Sequence, residues 1–283
     1  MFLFTTLNNG YTILRILSLD VVAGALVSGY MVGQLMGATL PLIWWIGLPV
    51  SVWVIYTADH LLDAWRLKDQ AHTDRHLFHH KNFKPIALIW GILFLICLTW
   101  LPWKAPQPLL FLGLGMGGFV MIHLSLVKII GNRISWMFHK ELGVGFIYSA
   151  GVWGGGWVLG FPERVLFEEF LFIQFLLLAL INLLAFSMYE IETDEKDGHT
   201  SFVRAIGVKN TKMIISFFAL VILAIGIWVM GEGSLIEKQI EGVYICMLLV
   251  LMLTVFLNDW FSQNERYRIW GDLVFMFPVI FLF

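Results

Sequence analysis

Long apolar runs, separated by short polar stretches, dominate this chain. A helix needs about 20 predominantly apolar residues to cross a hydrocarbon core of about 30 Å. Nine stretches meet or approach that length, at residues 16–38, 40–65, 84–103, 107–130, 141–161, 165–190, 211–231, 239–257 and 268–283. We therefore expect an all-α polytopic membrane protein of about nine transmembrane helices, forming a single domain over residues 1–283.

The composition supports a membrane protein and excludes several other classes. Of the 283 residues, 59% are hydrophobic and only 13% are charged, which is far from the usual soluble mixture. A net charge of −2 offers no general basis for binding nucleic acid. Cys97 and Cys246 both lie inside apolar runs, so neither a disulfide framework nor a cysteine metal site is indicated.

Lysine and arginine residues predict the orientation, because the cytoplasmic loops of membrane proteins are enriched in them. With the nine spans above, all but Lys104, Arg164 and Lys238 of the 18 Lys and Arg residues lie on one side. We expect that side to be cytoplasmic, together with the N-terminus and the loops after the second, fourth, sixth and eighth spans. The C-terminus is expected on the opposite side of the membrane.

Two of the apolar runs end in acidic residues spaced four apart. The segment VIYTADHLLDAWR carries Asp59 and Asp63, and the segment YEIETDEKDG carries Glu190 and Asp194. Residues four apart share one face of a helix. A carboxylate at the C-terminal end of a helix is disfavoured by the macrodipole, so each pair needs positive partners. One pair could simply end its helix in cytoplasmic water, but two pairs on one face favour a bound divalent metal.

Magnesium is the metal that fits these carboxylates. It prefers oxygen ligands, and it is usually held by one or two carboxylates together with phosphate oxygens of a substrate. Basic side chains near the acidic pairs could bind the same phosphate groups. These residues, each of which is also explained as an orientation determinant, are Arg66, Lys128, Arg133 and Arg204.

The motifs resemble those of the UbiA superfamily of intramembrane prenyltransferases. The stretch EIETDEKDGHTSFVRAIG is similar to the second aspartate-rich motif of that family, and LSLVKIIGNR is similar to its basic segment. The DxxxD of Asp59 and Asp63 resembles the end of the first motif. The chain departs from the family at Ile55 and Tyr56, where Asn and Asp are usual, and at Glu190, where Asp is usual.

This resemblance implies a central cavity in which a prenyl group moves from a prenyl diphosphate to an apolar acceptor, aromatic or not. Two Mg²⁺ ions would hold the diphosphate, one on Asp59 and Asp63 and the other on Glu190 and Asp194, and these four would be the catalytic residues. The diphosphate would also contact basic side chains. The residues implied for that contact are Arg66, Lys128, Arg133 and Arg204. A dry chamber would protect the allylic cation from water.

Two other functions stay open. The incomplete first motif allows a non-catalytic relative that binds or transports lipids, and Asp20 and Asn182, inside apolar spans, could then line a pathway or bond to neighbouring helices. The loop after the second span holds a histidine cluster, HxxxH followed by HxxHH, whose spacing is typical of membrane di-iron hydroxylases and desaturases. The histidines of this cluster are His72, His76, His79 and His80. Asp259 and Asp272 are expected to be helix-end or loop residues.

Overall fold

The computed structural model describes residues 11–67, 73–130, 138–161, 165–196 and 201–283, and this part of the chain is helical, with no strand. The first helices are α1 (Leu19–Leu35), α2 (Leu42–Leu67), α3 (Asp74–Lys81), α4 (Phe83–Leu98), α5 (Trp100–Lys104), α6 (Gln107–Ile130) and α7 (Phe138–Leu159). The others are α8 (Val165–Tyr189), α9 (Ile191–Lys196), α10 (Phe202–Ile206), α11 (Val208–Glu232), α12 (Leu235–Phe256), α13 (Asn258–Phe261) and α14 (Arg266–Leu273). Two 3-10 helices, Gln263–Glu265 and Val274–Leu282, flank α14.

Among the described residues, 7 helices are long and apolar enough to cross a membrane. They correspond to the second to eighth predicted spans, and they confirm an all-helical, multi-spanning integral membrane protein. The first predicted span is α1, an apolar helix of only 17 residues. The ninth divides into α14 and the C-terminal 3-10 helix, so the total of nine spans stays a prediction.

The core lies where α1, α7, α8, α11, α12 and the C-terminal 3-10 helix pack together. Its largest fully buried side chains include Trp153, Tyr244 and Phe175. By contrast, α4 and α6 bury little of their surface and expose large apolar side chains. In a membrane protein such surfaces face lipid, whose tails are as apolar as leucine.

Glycine allows the close approach of α7 to α1. A Cβ on Gly160 would lie 2.6 Å from the backbone oxygen of Met36, and one on Gly156 would lie 2.7 Å from Val32. Gly156 and Gly160 are four residues apart, and small residues at this spacing let helix backbones approach closely. The same pattern in α6 has a different outcome, since Gly113 and Gly117 have open space beside them.

Local capping explains where two helices begin. The Ser234 hydroxyl accepts a hydrogen bond from the Glu237 amide, and the Glu237 carboxylate accepts one from the Ser234 amide, which forms a capping box at the start of α12. Thr73 is the N-cap of α3, where its hydroxyl accepts a hydrogen bond from the amide of His76. Helix α3 then packs against α2.

Candidate functional site

The first acidic pair lies on the last turns of α2. Asp59 is exposed and lies within electrostatic range of His123, on α6. Asp63 is partly buried and lies 3.6 Å from the Nε2 atom of His76, on α3. Of the two carboxylates of α2, Asp63 therefore has an imidazole as a partner, and Asp59 is exposed.

The second acidic pair follows α8. The amide of Asp194 donates to the carbonyl of Glu190, so the two residues remain one helical turn apart, as the spacing predicts. The Glu190 carboxylate accepts a bond of 2.9 Å from Arg268, and the hydroxyl of Tyr267 donates to the same oxygen at 3.4 Å. Burial raises the pKa of Glu190, and the nearby Arg268 opposes that rise.

Arg75, on α3, links the two acidic pairs. Its guanidinium donates to the Nε2 atom of His60, near the end of α2, at 3.4 Å. It also interacts electrostatically with Glu190, at the end of α8. Since one side chain reaches both motifs, the C-terminal ends of α2 and α8 lie at the same end of the bundle.

Histidines surround Arg75 on the α2 side. The hydroxyl of Ser18 also donates to Nε2 of His60, at 3.2 Å, while Nδ1 of His79 donates to the carbonyl of Arg75 at 2.9 Å. His79 is fully buried, and burial lowers its pKa. Burial also lowers the pKa of Arg75, and the positive charge of Arg268 adds to that effect.

Two further carboxylates complete this region. Asp20 and Asp272 are 8% and 7% exposed, and both attract Arg75 electrostatically. We call the whole group the polar cluster. Of the four carboxylates in the two acidic motifs it includes only Glu190, and its other members come from α1, α2, α3 and α14: Asp20, His60, Arg75, His79, Tyr267, Arg268 and Asp272.

A cavity of about 30 Å³ adjoins the polar cluster, which is room for one or two water molecules. Its polar lining comes from Tyr56, Tyr148, Asn182 and Asp272, and the rest of its wall is apolar. Within the described part of the chain, the Tyr148 hydroxyl and the Asn182 side-chain oxygen are buried without a hydrogen-bond partner. The cavity can therefore accept a polar group of a ligand between apolar walls.

The structure describes the side chains of two of the four predicted phosphate-binding residues. Arg66 is exposed on the last turn of α2. Arg204 lies 3.9 Å from Glu195 and so stays beside the second acidic motif. Arg133 and the side chain of Lys128 lie outside the described residues.

The histidine cluster forms hydrogen bonds and ring contacts. The rings of His60 and His79 are 5.1 Å apart, and those of His60 and His76 are 6.2 Å apart, whereas His72 lies outside the described residues. In the ranges that the structure describes, no group of three or more His, Cys, Asp or Glu side chains is placed to hold a metal ion by itself.

Sequence reasoning missed the central cations of the polar cluster and one of its carboxylates. The sequence places Arg75 and Arg268 only on the positive side of the membrane, and it predicts Asp272 only as a helix-end or loop residue. Asp272 does lie near the end of α14, but it is buried. The one available signal was Asp20, because an ionisable residue inside an apolar span indicates function by default.

Comparisons with protein-family models, with curated proteins and with solved structures found no match to this chain.

Proposed function

We propose that this protein is an intramembrane prenyltransferase, which moves a prenyl group from a prenyl diphosphate to an apolar acceptor. The observation that carries the proposal is the position of Arg75, which contacts the end of α2 and attracts Glu190 at the end of α8. The two acidic motifs are about 130 residues apart in sequence, and they therefore share one end of an apolar bundle. A site for a prenyl diphosphate requires this arrangement, because the substrate has a charged head group and an apolar tail.

Magnesium is part of the proposal. Asp59 with Asp63, and Glu190 with Asp194, each offer carboxylate oxygens one turn apart, which fits an ion that takes one or two carboxylates and phosphate oxygens. The polar cluster contains no sulfur ligand, which also suits a hard cation. When bound, the metal neutralises negative charge on the diphosphate.

The arginines of the polar cluster would bind the leaving diphosphate. Arg75 has one hydrogen bond in the described part of the chain, to His60, so its other N–H groups are available to phosphate oxygens. Arg268 lies nearby and already orients Glu190. Fixed cations in a buried site stabilise developing negative charge more strongly than cations in water do. Arg66, Lys128, Arg133 and Arg204 would capture the incoming substrate.

The reaction itself needs no protein nucleophile. The allylic C–O bond breaks, the electron pair leaves with the diphosphate, and an electron-rich atom of the acceptor bonds to the allylic carbon and loses its proton. The cavity beside Asp272 would offer polar contacts to an acceptor near the diphosphate. The apolar core keeps water away from the cation.

A non-catalytic protein that binds the same lipids is the second candidate. It is favoured by the partners that Asp63 and Glu190 already have, His76 and Arg268, because these side chains occupy positions that a metal ion would otherwise take. Ile55 and Tyr56 also favour the non-catalytic candidate, because they replace two oxygen ligands of the related motif.

Incubation of the purified protein with labelled prenyl diphosphates, Mg²⁺ and a membrane lipid extract tests the proposal. We expect diphosphate release together with a labelled, lipid-soluble product, and we expect both to stop when the metal is chelated. Tight binding of a prenyl diphosphate without release would support the non-catalytic candidate instead. Failure both to bind and to release any prenyl diphosphate of the panel would contradict both candidates.

A further inference from the structure

A second buried acidic site lies away from the polar cluster, between α8, α11 and α12. Glu241 on α12 and Gln174 on α8 are both 0% exposed. The side-chain amide of Gln174 donates to Oε1 of Glu241 at 3.1 Å and to the carbonyl of Ile222 on α11 at 3.0 Å. Neither acidic motif includes these residues, and the proposed prenyl transfer does not use them.

No cation neutralises Glu241 in the described part of the chain. Its interactions there are with Gln174 and with Tyr244, a neutral residue of the same helix. Gly226 on α11 packs against the carboxyl group so closely that a Cβ there would overlap Oε1. An ionised carboxylate buried in this way would lose its hydration and gain no compensating charge, at a cost of several kcal/mol.

Two buried oxygens without hydrogen-bond partners indicate what neutralises the carboxyl group. Oε2 of Glu241 and Oε1 of Gln174 are both buried and have no hydrogen-bond partner. In the ionised form both are acceptors, so neither can satisfy the other. The Tyr244 hydroxyl, which is also buried without a partner, can donate to only one of these two oxygens, so one proton on Glu241 supplies the second donor. The carboxylic acid and the amide can then pair reciprocally, N–H to oxygen and O–H to oxygen.

We propose that Glu241 is a membrane-embedded proton-binding site, which holds its proton at neutral pH and pairs with Gln174 at the junction of α8, α11 and α12. The groups that face it are the amide of Gln174, the backbone of Ile222 and Gly226, and the hydroxyl of Tyr244. The site is independent of prenyl transfer, so its test does not depend on that activity.

Infrared spectroscopy of the purified protein tests this site, because a protonated carboxylic acid has a carbonyl stretching band that a carboxylate lacks. We expect the wild-type protein to show such a band at neutral pH, and we expect the difference spectrum between wild-type protein and Glu241→Gln to show the loss of one component of it. The matched control is Glu237→Gln, one turn earlier on the same helix, where the carboxylate accepts the capping bond of Ser234. That variant should keep the band.

Gln174→Leu provides a second test that leaves the carboxyl group in place. It should shift the frequency of the band, since the acid loses its amide partner. The proposal is overturned if the wild-type protein has no such band, or if Glu241→Gln loses no component of it. It is also overturned if replacing choline by sodium ions abolishes the band, because the site would then bind a metal cation instead of a proton.

Discussion

At the scale of single residues, the ion pair of Glu190 and Arg268 makes the polar cluster sensitive to truncation. Arg268→Ala should destabilise the protein by about 3 kcal/mol, because it leaves a largely buried carboxylate without its cation. Unfolding in detergent, monitored by heat or denaturant, measures this loss. Arg266→Ala is the matched control, since Arg266 is only partly buried and lies over the ring of Trp260 without a carboxylate partner in the described part of the chain, and its effect should stay within about 0.5 kcal/mol. Equal effects of the two variants would contradict the assignment.

His79 should make stability depend on pH. Burial lowers its pKa, so the folded protein keeps it neutral, while the unfolded chain takes up a proton near the ordinary pKa of 6.5. The contribution of His79 to the free energy of unfolding is therefore present above pH 6.5, and it is lost as the pH falls below that value. The slope is at most about 1.4 kcal/mol per pH unit for one proton.

The matched variant for this prediction is His79→Asn. It keeps an N–H donor for the carbonyl of Arg75 but does not titrate. The free energy of unfolding in detergent, measured from neutral to mildly acidic pH, should fall less steeply for the variant than for the wild-type protein. The same slope in both proteins would show that His79 is not the group responsible.

At the scale of elements, the close approach of α7 to α1 depends on the absence of a side chain at Gly160. Gly160→Ala should destabilise the protein by about 1–3 kcal/mol, because the new Cβ meets the backbone of Met36, which cannot move aside. Gly115→Ala in α6 is the control, since no atom lies within 4 Å of the position. Thermal unfolding of both variants in the same detergent compares them. If Gly160→Ala unfolds like the wild-type protein, the close contact between Gly160 and the backbone of Met36 does not exist.

The long helices were predictable from sequence, because twenty apolar residues in a row have few alternatives to a membrane helix. The predicted spans at 211–231 and 239–257 became Val208–Glu232 and Leu235–Phe256. Helix α3 was not predictable in this way. It is short and polar, it begins at the Thr73 cap, and it is held by packing against α2, which sequence periodicity does not reveal.

The candidate site was predictable only in part, for the same reason. The i to i+4 spacing of Asp59 with Asp63 and of Glu190 with Asp194 is local, so the sequence shows it. The partners of these residues are distant in sequence: Arg268 lies 78 positions after Glu190 and reaches it through the packing of α14 on α8. No local pattern marks Arg75 or Asp272 as members of the same cluster.

At the scale of the whole molecule, the basic residues predict that the polar cluster faces the cytoplasm. Single cysteines introduced in a background without Cys97 and Cys246 test this orientation. In intact cells, a membrane-impermeant thiol reagent should label Lys104→Cys from outside and should label Lys209→Cys only after permeabilisation. Both positions are exposed, so accessibility within the protein does not bias the comparison. The reverse pattern would place the cluster on the outer face.

The central claim is that carboxylates from two distant segments act together on one diphosphate. Its most direct test is the rate of diphosphate release from a prenyl diphosphate that the wild-type protein uses, compared among Asp63→Ala, Asp194→Ala and the control Asp259→Ala. Asp259 is exposed on α13, outside both acidic motifs and the polar cluster. The account predicts that the first two variants stay folded and lose release, while the control keeps it. Full activity in Asp63→Ala and Asp194→Ala would contradict it.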